Sequence, residues 1–154
     1  MKMLSAFSAV LVVACYAAGA STDAVAAAGE ESTSQIIREH APPGITEAFY
    51  QCIDKADPST IGSAACLTAE QERQDKRLNA NYKALLAKLS PEAKKELVLA
   101  ERAWLKFQDA NGALESSVYG SEIIDNLQVT QNEIFRICER ANALDDYLFV
   151  ARLQ

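Results

Sequence analysis

The sequence predicts an all-α fold: a small helical bundle that contains a long antiparallel helical hairpin. Three observations carry this. Apolar residues recur at spacings of three, four and seven in three long stretches, and helix stop-and-start residues separate those stretches. No segment of useful length alternates with period two in β-branched residues, as a half-buried strand would.

The chain opens with Lys2 ahead of an apolar run from Leu4 to Ala18, the pattern of a secretory signal over residues 1–20. The run falls short of the roughly 20 apolar residues that a bilayer-spanning helix needs. Two processing readings stand. Ala18-Gly19-Ala20 offers small residues for cleavage before Ser21, which gives a soluble periplasmic or secreted product. Val12-Val13-Ala14-Cys15 resembles a bacterial lipobox, which would lipidate Cys15 and anchor the chain in the cell envelope. Membrane association is expected only through that lipid.

Residues 21–44 are small and polar and close on Pro42-Pro43-Gly44. They carry too little apolar area to offset the entropy of ordering, which predicts a flexible tether with one marginal helical turn around Gln35 to Glu39. Residues 45–154 remain, enough for one compact domain.

Within it a short helix is expected from Thr46 to Ala56. From Ala64 to Leu89 a longer one is marked by Leu67, Leu78, Tyr82, Leu85, Leu86 and Leu89, with charged residues between them. Gln71 and Gln74 fall on the same line, so the inner stripe begins polar. Glu70 with Gln74, Glu72 with Lys76, and Asp75 with Asn79 read as ordinary surface pairs. Ser90-Pro91-Glu92 stops one helix and starts the next, with a capping hydroxyl, a proline at the first helical position and an acid complementing the dipole. The returning helix presents Leu97, Ala100, Trp104, Phe107 and Leu114 as its inner face, and its pattern weakens at Asn111-Gly112. A last helix starts near Ser121-Glu122 and shows a stripe of Ile123, Leu127, Ile134, Ile137, Cys138, Ala141, Leu144 and Leu148, ending near Arg152.

The formal charge is -6, or -7 once Lys2 leaves with the signal. Phosphate recognition depends on lysine and arginine clusters that the sequence lacks, so a nucleic-acid partner is not expected. A cationic protein partner suits the charge. Catalytic signatures are missing: there is no Gly-x-Ser-x-Gly elbow, phosphate loop or His-Glu-x-x-His, and no histidine near a serine or cysteine of the domain. The single histidine, His40, lies in the expected tether, so neither a metal site nor a cofactor is expected. The chain reads as a binding protein, not an enzyme.

Cys52, Cys66 and Cys138 remain in the folded part, and an oxidising compartment permits disulfides. A Cys52–Cys66 bridge would close a loop of about 15 residues, worth roughly 3 kcal/mol in the chain-entropy model. Cys138 is then odd: a buried unreactive thiol, an intermolecular bridge, or the sign of a different pairing. Its place on the apolar stripe favours burial.

Several blocks together resemble the N-terminal domain family of the LprI-type lysozyme inhibitors. They are Tyr50-Gln51-Cys52, Cys66-Leu67 with Glu70, Leu78-Asn79 with Tyr82-Lys83, and Glu101-Arg102-Ala103-Trp104 with Phe107 and Asp109. The resemblance spans roughly residues 50–148 and implies an exported, disulfide-stapled helical protein of a family in which one lipoprotein member inhibits lysozyme and most members have no assigned role. The family's motif residues fall on Glu70, Leu78, Asn79, Tyr82, Arg102, Trp104 and Asp109, which makes Glu70, Asn79, Tyr82, Arg102, Trp104 and Asp109 candidate binding residues. Many relatives carry cysteine where Gly112 stands, the implied partner of the cysteine matching Cys138, and arginine where Gln108 stands. The leading expectation is an envelope protein that blocks a cationic lysozyme or another cell-wall-degrading enzyme, with the corner Lys88 to Glu92 or the loop-like stretch Asn111 to Glu122 as the plug. The alternatives are an immunity-type protein for another toxin, or a self-associating structural or stress-related envelope component.

Overall fold

A computed structural model describes residues 31–120 and 122–153. The expected signal over 1–20, with Cys15, and the first part of the tether lie outside the described residues. The described part is built from five helices: α1 (Thr33–His40), α2 (Glu47–Ala56), α3 (Thr60–Lys88), α4 (Pro91–Tyr119) and α5 (Ile123–Arg152).

Local chemistry sets most of the boundaries. Thr46, Ser59 and Ser90 each accept a hydrogen bond from a backbone amide in the first turn of the helix that follows. Pro91 occupies the first turn of α4, as its sequence position predicts. Gly120 ends α4 at φ +113°, and an added Cβ would stand 2.8 Å from an Asp125 carboxylate oxygen, so only glycine suits this turn into α5. Asp125 in turn accepts from the Glu122 amide at 3.2 Å, closing the start of α5.

The tether expectation is corrected over residues 33–40. Ser32 and Gln35 form a capping box, and α1 runs for 8 residues. Side chains hold it on α2: the buried Ser34 hydroxyl donates to Asp54 at 2.8 Å, and Thr33 donates to Asp57 at 2.9 Å. Arg38 reaches Glu47 at 2.8 Å while its guanidinium lies 3.7 Å from the centre of the Tyr50 ring.

The long helices run up, down and up. Gln71 reaches Glu133, Arg77 reaches the Cys138 carbonyl, and Asn81 reaches the Ala141 carbonyl, so α3 and α5 lie side by side and parallel. α4 runs antiparallel to α5, with Glu101 opposite Arg140 and Glu115 opposite Arg136. The corner at Ser90-Pro91 forms as expected, but α3 packs chiefly on α5 and not on α4, its neighbour in sequence. α4 also continues unbroken through Asn111-Gly112, where a weakening was expected. Asn111 donates to the Phe107 carbonyl and Ser116 to the Gly112 carbonyl, both within the helix.

Two apolar clusters result. One joins Ile45, Phe49, Tyr50 and Ile53 to Cys66, Leu67, Ile134 and Cys138; the other joins Leu85 and Leu97 to Leu144 and Leu148. The Cys52–Cys66 disulfide, with Cα atoms 5.7 Å apart, fastens α2 to the start of α3. From α4 only Leu97 is buried. The expected inner face of α4 is therefore corrected: Phe107 is 52% exposed and Leu114 59%, because the side of α4 that meets α5 is given to ion pairs. Among the described residues no helix is long and apolar enough to cross a membrane.

Candidate functional site

Between the two apolar clusters lies a polar layer built on the α3 stripe. Glu70 is fully buried and accepts four hydrogen bonds: from the Thr46 amide (3.0 Å) and hydroxyl (2.6 Å), from Arg73 (2.7 Å) and from Gln74 (2.7 Å). Gln74 also donates to the Gly44 carbonyl at 2.8 Å. One turn on, Arg77 donates to the Cys138 carbonyl at 2.9 Å and to the Asn142 side chain, and Asn142 donates to the Pro43 carbonyl at 2.8 Å. Pro43-Gly44, expected as the end of a tether, is thus latched to α3 and α5.

The charge of Glu70 survives burial through this geometry. Burial pushes its pKa up, but the hydrogen bonds from Thr46, Gln74 and Arg73 outweigh it, so the carboxyl lies below its ordinary value. Cys138 is free and buried, its sulfur 3.3 Å from the Pro43 carbonyl. Burial pushes its thiol pKa up, against the nearby Arg77 guanidinium. A reactive thiol needs the opposite environment.

The second constellation is on the surface. Leu78, Asn79 and Tyr82 of α3 face Val98, Glu101, Arg102, Trp104 and Leu105 of α4 across an open cleft of about 300 Å³. It exists because α4 leans on α5 instead of closing on α3. Two side-chain bridges hold it there: Arg140 to Glu101 at 2.6 Å, and Arg136 to Glu115 at 2.5 Å with a further hydrogen bond to Gln108. Each ion pair is largely shielded from solvent. Apolar walls with a few hydrogen-bonding groups are what a recognition cleft requires.

Four of the six candidate binding residues, Asn79, Tyr82, Arg102 and Trp104, thus converge on one cleft. Two do not. Glu70 is corrected from a surface pair member to a buried latch, and Asp109 is exposed on α4 outside the cleft. The loop plugs also change character: the corner is only Leu89 and Ser90, and 111–119 is helical. Among the described residues no three His, Cys, Asp or Glu side chains gather as a metal site.

The sequence profile of a family described as lysozyme inhibitor LprI matches residues 52–144. The chain belongs to the LprI lysozyme inhibitor family. No curated protein and no solved structure matches it. The LprI span starts at the disulfide and takes in all of α3, the cleft and most of α5; α1 and the first turn of α2 lie ahead of it. Gln108, where the resemblance implies arginine, accepts from Arg136, which a second guanidinium would repel. A Cβ at Gly112 would meet nothing within 4 Å, so this position does not stand against Cys138.

Sequence reading missed the arginines that set the cleft open. The signal was there: Glu101, Gln108 and Glu115 are seven apart on α4, and Arg136 and Arg140 are four apart on α5. Such spacings put each set on one helix face.

Proposed function

We propose that this protein is an exported envelope binding protein that inhibits lysozyme, or another cell-wall-degrading enzyme, by seating the α3–α4 face in the enzyme's substrate cleft. The observation that carries the reading is the convergence of Asn79, Tyr82, Arg102 and Trp104 on one open cleft in a chain of the LprI family. Tyrosine, tryptophan and arginine are the residues that most often carry binding energy at protein interfaces. The formal charge of -6 speeds encounter with a cationic enzyme. No nucleic acid and no cofactor enters this reading, and the protein acts without catalysis. Export proceeds by removal of residues 1–20, or alternatively by lipid attachment at Cys15; the mass of the mature N-terminus in a fractionated envelope distinguishes the two.

The test is to mix the purified mature chain with lysozyme and follow the clearing of a cell-wall suspension. Loss of clearing at micromolar protein is the expected result. Undiminished clearing, with no binding to lysozyme or to other wall-degrading enzymes by calorimetry, overturns the reading.

A further inference from the structure

α4 carries a second row, of apolar and small residues, that the described residues leave uncovered. Ala100, Ala103, Phe107, Ala110, Leu114 and Ser117 follow one another at spacings of three, four, three, four and three, the a and d positions of a coiled-coil seam. All six are exposed. The row Glu101, Gln108, Glu115, which meets α5, is one residue further round the helix. Single exposed apolar residues are ordinary, but a heptad row sustained over about 26 Å of helix is not scatter.

We propose that this seam is covered by α4 of a second copy of the chain, paired antiparallel about a two-fold axis near Gln108 and Asp109. In that register all six positions of the row pair with one another. Phe107 falls on the second copy's Ala110, Leu114 on the second copy's Ala103, and Ala100 on the second copy's Ser117, so every layer sets a large side chain on a small one or two small ones together. Parallel pairing would stack Phe107 on Phe107 and Leu114 on Leu114 and leave the alanine layers hollow, contrary to close packing. The flanking positions agree. Leu99, 56% exposed, and Val118, 69% exposed, flank the seam on its two sides, and because antiparallel pairing sets each flank against the same flank of its mate, Lys106 meets the second copy's Ala113 and no like charges oppose each other.

The area sets the strength. Four half-exposed large side chains per copy, at roughly 100 Å² each, with the alanines between them, bury on the order of 1,000 Å² in total. That is the low end for specific interfaces and corresponds to a weak, reversible dimer with a dissociation constant in the micromolar range. The pairing is independent of the lysozyme reading, because the seam and the α3–α4 cleft are separate strips of α4.

Sedimentation equilibrium of the mature chain from micromolar to millimolar concentration tests it. A monomer–dimer equilibrium is expected, and Ala110→Glu, which buries a charge beside the two-fold axis, is expected to weaken it on the order of a hundredfold with helicity and melting unchanged. A monomer at every concentration, or a dimer indifferent to Ala110→Glu, overturns the proposal. Oxidative cross-linking fixes the register in the native fold, whose Cys138 thiol is buried. Ala103→Cys and Leu114→Cys chains are expected to cross-link when mixed and not when alone. Cross-linking of each variant with itself, or none in the mixture, counts against the antiparallel register and overturns it.

Discussion

The carboxylate of Glu70 accepts from both the backbone amide and the hydroxyl of Thr46, a residue 24 positions earlier in the chain. This pair ties the start of α2 to the middle of α3, and Arg73 and Gln74 complete the ring of donors. Removing the carboxylate leaves the Thr46 amide and the Gln74 side chain with buried donors to satisfy, while Arg73, on the rim, turns to water. Glu70→Ala is expected to lower unfolding stability by about 2–3 kcal/mol, read from the urea midpoint. An unchanged midpoint would mean that the latch contributes nothing.

The same carboxylate makes stability depend on pH. Its pKa in the folded chain lies below the ordinary 4.5, so below that pH the unfolded chain binds the proton more readily than the folded one. Its contribution is fully present above 4.5 and is lost as pH falls through the folded value. Asp54, held down by the Ser34 hydroxyl, acts in the same sense. Urea midpoints are expected to fall on acidification below 4.5, and Glu70→Gln to flatten that limb. An acid limb equally steep in Glu70→Gln rejects this assignment.

Gly44 sits at φ +104°, and a Cβ there would come 2.2 Å from an Arg77 guanidinium nitrogen. Gly44→Ala is therefore strained twice, by backbone and by contact. A loss of about 2 kcal/mol or more is expected, with the melting temperature as the measure.

The cysteines behave differently from one another. Reducing Cys52–Cys66 frees a loop with sequence separation 14 and is expected to cost about 3 kcal/mol. Cys138 is fully buried and its thiol pKa is raised, so a thiol reagent added to the oxidised chain prepared without residues 1–20 should find no fast-reacting group until denaturant is added, and then one. A thiol titrating at once in the native protein contradicts its placement.

What the sequence made legible was periodic or local. The stripes of α3 and α5 and the Ser90-Pro91 corner follow from spacing and capping chemistry, whereas Cys52–Cys66 was one of the pairings three cysteines allow and the fold selects it. α1 escaped because polar contacts across some twenty residues hold it, such as Ser34 to Asp54, and composition does not register those. Glu70 with Gln74 looked like surface decoration because an i,i+4 pair carries no mark of the Thr46 that buries it. The burial of α4 was misjudged for a different reason. A helical stripe shows that a face is apolar, not whether the same chain covers it, and Phe107 lies on a face that its own bundle leaves open. At the site, the motif's Asn79, Tyr82, Arg102 and Trp104 line one cleft, but that cleft depends on the Arg136 and Arg140 bridges, whose helix spacings the sequence carries and whose partners the fold supplies.

The cleft separates a binding role from a purely structural one. Arg102 is exposed and Trp104 half-buried, and among the described residues neither shares in the polar latch. If they contact the enzyme, Arg102→Ala and Trp104→Ala should each weaken inhibition by about tenfold to a hundredfold, the loss typical of anchor residues. Arg102→Ala should do so with its melting temperature unmoved, since an exposed side chain away from the latch contributes little to stability. Asp145→Ala, exposed on α5, is the surface control and should inhibit as the parent does. Inhibition constants from the wall-clearing assay, set beside melting curves of the same preparations, decide the matter. Inhibition that survives both cleft substitutions, or that falls only in step with stability, would assign these motif residues to the fold and move the inhibitory surface elsewhere.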